Sequence, residues 1–397
     1  MAAAAMLRLQ WVMQLPDYQG GSLVNLMASL QTGLGGAAHT APPLDLLGAI
    51  EVDARRQVLL WVIDGLGFNY LRAHPQAVHL NRNLRGSMTS VYPPTTTSAI
   101  TTLLTGMAPQ QHGLTGWHMY FRELGSILAV LPGKPRYGGV GLGAAGIDTA
   151  KLLGHVAFAD RIGVETCIIS PASIARSDFN LAHLGRARLT GYQGLDGLLD
   201  SIDAVLHEDG RRFVHAYWPE LDSIGHREGI GSEAARAHLQ ELDRAFMTLL
   251  ERIGGTDTLV IVCADHGQVD STPASRLSLD DHPELREMLA LPLCGEPRSV
   301  YCYLRPGCER DFDSYVESGL AGVAHGFSAS HLLDHHWFGP GAPHPELARR
   351  IGDRVLLMQS NYTLKDWLPQ EKRVELIGVH GGLTADELLV PLVIAGV

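Results

Sequence analysis

Three short runs dominated by apolar and β-branched or aromatic residues punctuate the chain: Val58–Ile63, Phe213–Trp218 and Leu259–Ala264. Each is bounded by polar or turn residues, as expected of a strand buried on both faces. Cys167–Ser170, Val300–Leu304 and Leu388–Ala395 read the same way. Helical spacing lies between them. Ser22 opens one helix with Leu23, Leu26, Met27 and Leu30 on one face. Ser232 caps another that runs through Leu239, Leu242, Phe246, Leu249 and Leu250 and stops near Gly254 and Gly255. Strands alternating with helices predict an α/β sandwich around a mostly parallel sheet. From about 271 to 372 the rhythm breaks into a stretch rich in His, Pro and Gly, exemplified by Gly339-Pro340-Gly341-Ala342-Pro343. It reads as a cap subdomain inserted into one catalytic domain spanning residues 1–397.

Composition narrows the class. With 397 residues, 46% hydrophobic and 18% charged, the chain can bury a large core, which excludes a disordered or coiled-coil protein. No apolar run is long enough for a spanning helix. The net charge of −11 disfavours a nucleic-acid polymer or an anionic membrane as partner. Met1 to Arg8 lacks the pattern of a secretory signal, so a cytoplasmic protein is expected. Five cysteines without a C-x-x-C pair argue against both a disulfide framework and a thiolate zinc site.

The chemistry gathers where strands end. Asp64 follows the first strand in Asp64-Gly65-Leu66-Gly67, at the edge where open α/β sheets bind ligands. Pro93-Pro94 precedes Thr95-Thr96-Thr97-Ser98 at an expected helix start, where free N–H groups and the helix dipole favour an anion. A hydroxyl there can act as a nucleophile if a metal lowers its pKa. The segment from Gly106 to Gly113, with Pro109 and His112, reads as a turn. Asp222-x-x-x-His226 follows the second strand and puts a carboxylate and an imidazole on one helical face. Asp265-His266 follows the third strand, and His380 stands beside Gly381-Gly382. Three Asp and three His without thiolate suit two oxygen/nitrogen metal sites, with zinc favoured.

Two other motifs carry less. Gly141-Leu142-Gly143-Ala144-Ala145-Gly146 fits a dinucleotide fingerprint but follows a loop-like stretch rather than a strand. Asp334-His335-His336 reads as a solvated loop in the cap.

In this order the motifs resemble those of the alkaline phosphatase superfamily, and within it the type I phosphodiesterase/nucleotide pyrophosphatase branch. The series runs Asp64, Thr96 with Leu104-Thr105-Gly106, His112-Gly113, Asp222/His226, Asp265-His266 and His380-Gly381-Gly382. The resemblance extends from about Val58 to Val397. It implies an alkaline-phosphatase-like sandwich with helices on both faces of the sheet. It implies two divalent ions, most favourably Zn2+, one held by Asp222, His226 and His380 and the other by Asp64, Asp265 and His266. It puts the nucleophile on Thr96, with Thr97 next in line. Trp117 stands where this branch carries an Asn that steadies a phosphoryl oxygen.

The expected protein is a phosphoric-ester hydrolase acting on a small molecule through a phosphothreonine intermediate. Phosphonate hydrolysis, monoester hydrolysis, phosphomutase chemistry and non-catalytic metal binding are the rivals. No Lys or Arg occurs from Ser87 to His118. A monoester dianion calls for an extra cation, so a diester preference is expected. Arg298, in Gly295-Glu296-Pro297-Arg298, is the cation that would reverse it by folding over the site.

Overall fold

The computed structural model describes residues 13–369 and 371–397. Met1 to Arg8, on which the reading of compartment rests, lie outside them. A seven-stranded sheet forms the centre, in the spatial order Leu84–Thr89, Leu389–Gly396, Thr258–Cys263, Gln57–Ile63, Arg212–Trp218, Glu165–Pro171 and Arg188–Tyr192. Leu389–Gly396 runs antiparallel to both of its neighbours. The other pairings are parallel.

Every residue of Gln57–Ile63 and of Thr258–Cys263 is buried, so these strands read as continuous apolar runs rather than as alternations. Each fully buried Val, Leu or Ile there contributes roughly 1.5–3 kcal/mol. Helix Leu23–Gly33 packs on helix Thr96–Thr105, and Gly194–Leu206 packs on three strands of the sheet and on Glu233–Arg252. Ser232 caps the last of these, accepting a hydrogen bond from Ala235 N.

A second seven-stranded sheet is antiparallel, in the order Ala324–Ser328, Arg354–Met358, Ser299–Cys302, Cys294–Glu296, His118–Phe121, Ser126–Ala129 and Lys134–Pro135. Here the side chains alternate. Val300, Cys302, Leu356 and Met358 enter one apolar cluster, while Tyr301, Val355 and Leu357 enter another. Four of its strands lie within residues 271–372, and three come from 118–135. The two parts join at a single pair, Gly295 with His118.

The segment expected as a plain turn between Gly106 and Gly113 contains a short helix, Pro109–His112. It is bracketed by those two glycines in left-handed conformation, with φ of 73° and 64°. Pro109 fits because the first helical N–H needs no partner. All five cysteines are free. Among the described residues, no helix is long and apolar enough to cross a membrane.

Candidate active site

Parallel pairing brings three strand ends to one edge of the central sheet. Ile63 sits opposite Trp218, and Val62 opposite Cys263. The residues that follow, Asp64, the Glu220–Glu228 helix and Asp265-His266, therefore emerge side by side. Gly65 makes the approach possible. Its φ is +76°, and a Cβ there would lie 3.0 Å from Asp222 Cα.

Three oxygens converge on one imidazole nitrogen. His266 Nε2 is 3.3 Å from Asp64 Oδ1, 3.3 Å from Asp265 Oδ2 and 3.1 Å from Thr96 Oγ1. His266 Nδ1 is engaged by the Gly267 carbonyl at 3.0 Å, which leaves Nε2 to face the site. The His380 ring stacks on that of His266, with centroids 3.7 Å apart. Asp222 stands on the other side, 3.2 Å from His226 Nε2 and 3.9 Å from His380 Nε2. The Gly378 carbonyl holds His226 Nδ1 at 2.7 Å.

All six expected metal ligands thus lie in one cluster. Two trios have ligand atoms within 4.8 Å of one another: Asp64, Asp265 and His266, and Asp222, His266 and His380. His226 adjoins the second trio through Asp222. Whether a cation fits can be judged from the acids alone. Asp64 Oδ1 and Asp265 Oδ2 are sealed from solvent without a hydrogen bond. Burial, with Asp265 and Asp222 nearby, pushes the Asp64 carboxyl well above the usual carboxylate range. Burial also raises Asp222, but the His226 and His380 imidazoles outweigh it and hold that carboxyl below its usual range. Packed buried carboxylates with orphaned oxygens are the environment a divalent cation satisfies.

The three threonines separate cleanly. Thr95 is the N-cap residue, and its hydroxyl donates to Glu296 Oε1 at 2.6 Å. Thr96 is the first helical residue and is partly exposed to the site. Thr97 is fully buried, and its Oγ1 has no partner.

Sequence reasoning missed several contributors. Tyr217 OH donates to Asp64 Oδ2, and Gln268 Nε2 donates to Asp222 Oδ1. Tyr217 is the penultimate residue of its strand, and Gln268 lies two residues past His266. Glu296 was passed over beside Arg298, yet it lines the cavity, and burial pushes its carboxyl up to about 7.

The cavity has a volume of about 580 Å³ and reaches from Thr96 and His380 to Arg136, Lys365 and Trp367. Arg136 is tied to Asp366 at 2.8 Å and to Glu371 at 2.9 Å. The Lys365 ammonium lies 4.5 Å from the centre of the Trp367 ring. Trp117 exposes its indole and gives its backbone N–H to Glu296 Oε1 at 2.7 Å.

Arg298 does not fold over the site. It is fully buried, pairs with Glu387 at 2.6 Å, and donates to the carbonyls of Ser360 and Tyr362. Four of its five N–H groups are engaged by Glu387, Ser360 and Tyr362 in the scaffold behind Gly381-Gly382. The Gly141–Gly146 segment forms turns without a preceding βα unit, and Asp334-His335-His336 joins no metal-competent group among the described residues.

Among solved structures, the fold is similar to murine ectonucleotide pyrophosphatase/phosphodiesterase 5. The TM-score is 0.65 at 16% identity, covering 84% of this chain and 87% of that one. It is also similar to phosphonoacetate hydrolase from Sinorhizobium meliloti 1021 in complex with phosphonoacetate, with TM-score 0.64, 16% identity, and coverage of 86% and 90%. The human phosphodiesterase 5 counterpart gives 0.63 at 15% identity, covering 85% and 87%. No curated protein matches the chain. The sequence model of the type I phosphodiesterase/nucleotide pyrophosphatase family matches residues 58–381, which include all six clustered Asp and His residues and Thr96. The chain therefore belongs to the type I phosphodiesterase/nucleotide pyrophosphatase family, and it is a hydrolase acting on phosphoric ester bonds.

Proposed function

We propose that the protein is a two-metal phosphodiesterase that works through a phosphothreonine on Thr96. The observation that carries this reading is the convergence of Asp64 Oδ1, Asp265 Oδ2 and Thr96 Oγ1 on His266 Nε2. Asp64, Asp265 and His266 would hold one divalent ion, and Asp222, His226 and His380 the other, with zinc favoured by the imidazole/carboxylate set. Two such ions supply positive charge that favours an ionised hydroxyl and offsets charge on the phosphoryl oxygens.

The chain's own residues do the rest. Thr96 is presented on the first turn of a ten-residue helix, whose N-terminus favours an anionic phosphoryl group. Tyr217 and Gln268 fix the rotamers of Asp64 and Asp222, so the acids do not reorganise as substrate binds. Thr96 Oγ forms a bond to phosphorus as the ester P–O bond breaks, and the leaving oxygen departs as an alcohol. Water then cleaves the Thr96 ester, releasing a phosphomonoester and restoring the hydroxyl.

Substrate is a small phosphate diester. The burial of Arg298 removes the cation that would have favoured monoesters. Phosphonate hydrolysis is the second reading, because Lys365 gives the far end of the cavity an ammonium for a second anionic group. Purified, metal-analysed protein assayed with bis(p-nitrophenyl) phosphate, p-nitrophenyl phosphate and phosphonoacetate separates the two. Diester turnover dominates on the first reading, and phosphonate turnover on the second.

A further inference from the structure

Glu296 belongs to neither group of metal-competent side chains, yet it is fixed beside the nucleophile. It ends the Cys294–Glu296 strand, which its antiparallel partner Ser299–Cys302 holds in register. Its Oε1 accepts hydrogen bonds from Thr95 Oγ1 at 2.6 Å and from Trp117 N at 2.7 Å. On a third side lies Gly381, with φ of +102°, so near that a Cβ there would be 2.8 Å from Glu296 Cβ. The carboxylate is therefore pinned between the cap of the Thr96 helix, the Trp117 loop and the neighbour of His380.

Among the described residues, no ion pair involves Glu296. Of the cavity's cations, Arg136 is paired with Asp366 and Glu371, while Lys365, against the Trp367 ring, and Lys372 line the same cavity without an ion pair to Glu296. Thr96, His380 and Glu296 line one continuous cavity. A phosphoryl group on Thr96 thus meets a carboxylate held by Thr95, the residue just before the nucleophile.

We infer that Glu296 is a specificity-determining residue: its carboxylate disfavours a second negative charge on the phosphoryl group, so the site selects monoanionic diesters over dianionic monoesters. The inference rests on the phosphodiesterase reading above. Two hydrogen bonds to Oε1 would equally suit a mere structural clip, but a clip works as well when neutral. Repulsion does not. One extra like charge in a partly solvated cavity costs on the order of tenfold in binding or rate.

Glu296→Gln keeps the acceptor oxygen for Thr95 and Trp117 and removes the charge. In alkaline buffer, with zinc restored, kcat/KM is measured for p-nitrophenyl phosphate and for bis(p-nitrophenyl) phosphate. The monoester-to-diester ratio should rise about tenfold over wild type. An unchanged or lower ratio overturns the inference.

If the variant turns over neither ester, binding decides. The zinc-loaded Thr96→Ala protein, with and without Glu296→Gln, is titrated calorimetrically with inorganic phosphate and with dimethyl phosphate. Loss of the charge should tighten phosphate about tenfold and leave dimethyl phosphate unmoved. Equal effects on both, or none, reject the inference. A wild-type protein that cleaves neither ester refutes the phosphodiesterase reading. One that cleaves both, with a ratio unmoved by Glu296→Gln, refutes only the role of Glu296.

Discussion

Thr96 Oγ1 stands 3.1 Å from His266 Nε2, across 170 residues of chain. Two separate constraints make the pair. The helix that begins at Thr96 fixes one partner, and the turn after Thr258–Cys263 fixes the other, with its Nδ1 held by Gly267. The backbone on each side is fixed, by the helix start at Thr96 and by the turn just past Cys263. The hydroxyl is thereby presented to the same point as two orphaned carboxylate oxygens.

Thr96→Ala should retain fold and metal and lose roughly three orders of magnitude or more in kcat, as removal of a nucleophile does. Thr97→Val should stay within a few-fold of wild type. It replaces a buried hydroxyl that has no partner by a methyl of similar size, so stability should be unchanged or slightly higher. Parallel ester assays and thermal melts check both. A dead Thr97→Val beside an active Thr96→Ala would move the nucleophile by one residue.

Removing a ligand should empty one site at a time. Asp64→Ala should lower the zinc content from about two ions per chain to about one. His380→Ala should do the same by weakening the group it shares with Asp222 and His266. Metal analysis after dialysis reads the stoichiometry directly. Wild-type stoichiometry in either variant would take that residue out of the ligand set.

Arg298 and Glu387 form a fully buried pair at 2.6 Å, and Glu387 also accepts from Gly382 N at 2.7 Å and Thr384 Oγ1 at 2.6 Å. Breaking it leaves one uncompensated charge in the interior. Arg298→Ala or Glu387→Ala should each cost about 3–5 kcal/mol in urea unfolding. The same Arg298 variant, where folded, should leave the monoester-to-diester ratio as in wild type.

His155 and His183 share a hydrogen bond of 2.8 Å. Burial, with His183 adding to it, lowers His155 to about 3, and burial lowers His183 to about 4, from the ordinary 6.5. Because the folded-state values are depressed, the unfolded chain takes up protons first as pH falls. The stability these residues contribute is complete above about 6.5 and drains as pH drops toward about 3 to 4. The Tm measured from neutral to acid pH should decline, and His183→Gln should make that decline shallower whatever it does to the neutral-pH value. An identical slope in the variant would exclude this pair as a source of the acid sensitivity.

The edge that gathers the Asp and His residues was legible in the sequence because parallel strands advertise themselves. Gln57–Ile63 and Thr258–Cys263 are buried throughout and Arg212–Trp218 at all but Tyr217, and polar titratable residues just past such runs have few structural excuses. The second sheet was less legible. His118–Phe121 and Cys294–Glu296 are short antiparallel strands, and they meet at one residue pair far apart in sequence, which leaves no local pattern. Glu296 and Arg298 show the same limit at side-chain level. Two residues apart on a hairpin, they diverge, Glu296 into the cavity and Arg298 into the scaffold to meet Glu387. Nothing in Gly295-Glu296-Pro297-Arg298 tells which one faces the substrate.

The most direct test is a zinc titration of metal-stripped wild-type protein, followed by the rate of bis(p-nitrophenyl) phosphate hydrolysis. The account predicts negligible turnover in stripped protein and a rise that saturates at about two zinc ions per chain. Full activity in the stripped protein, or no activity at any zinc loading, would contradict it.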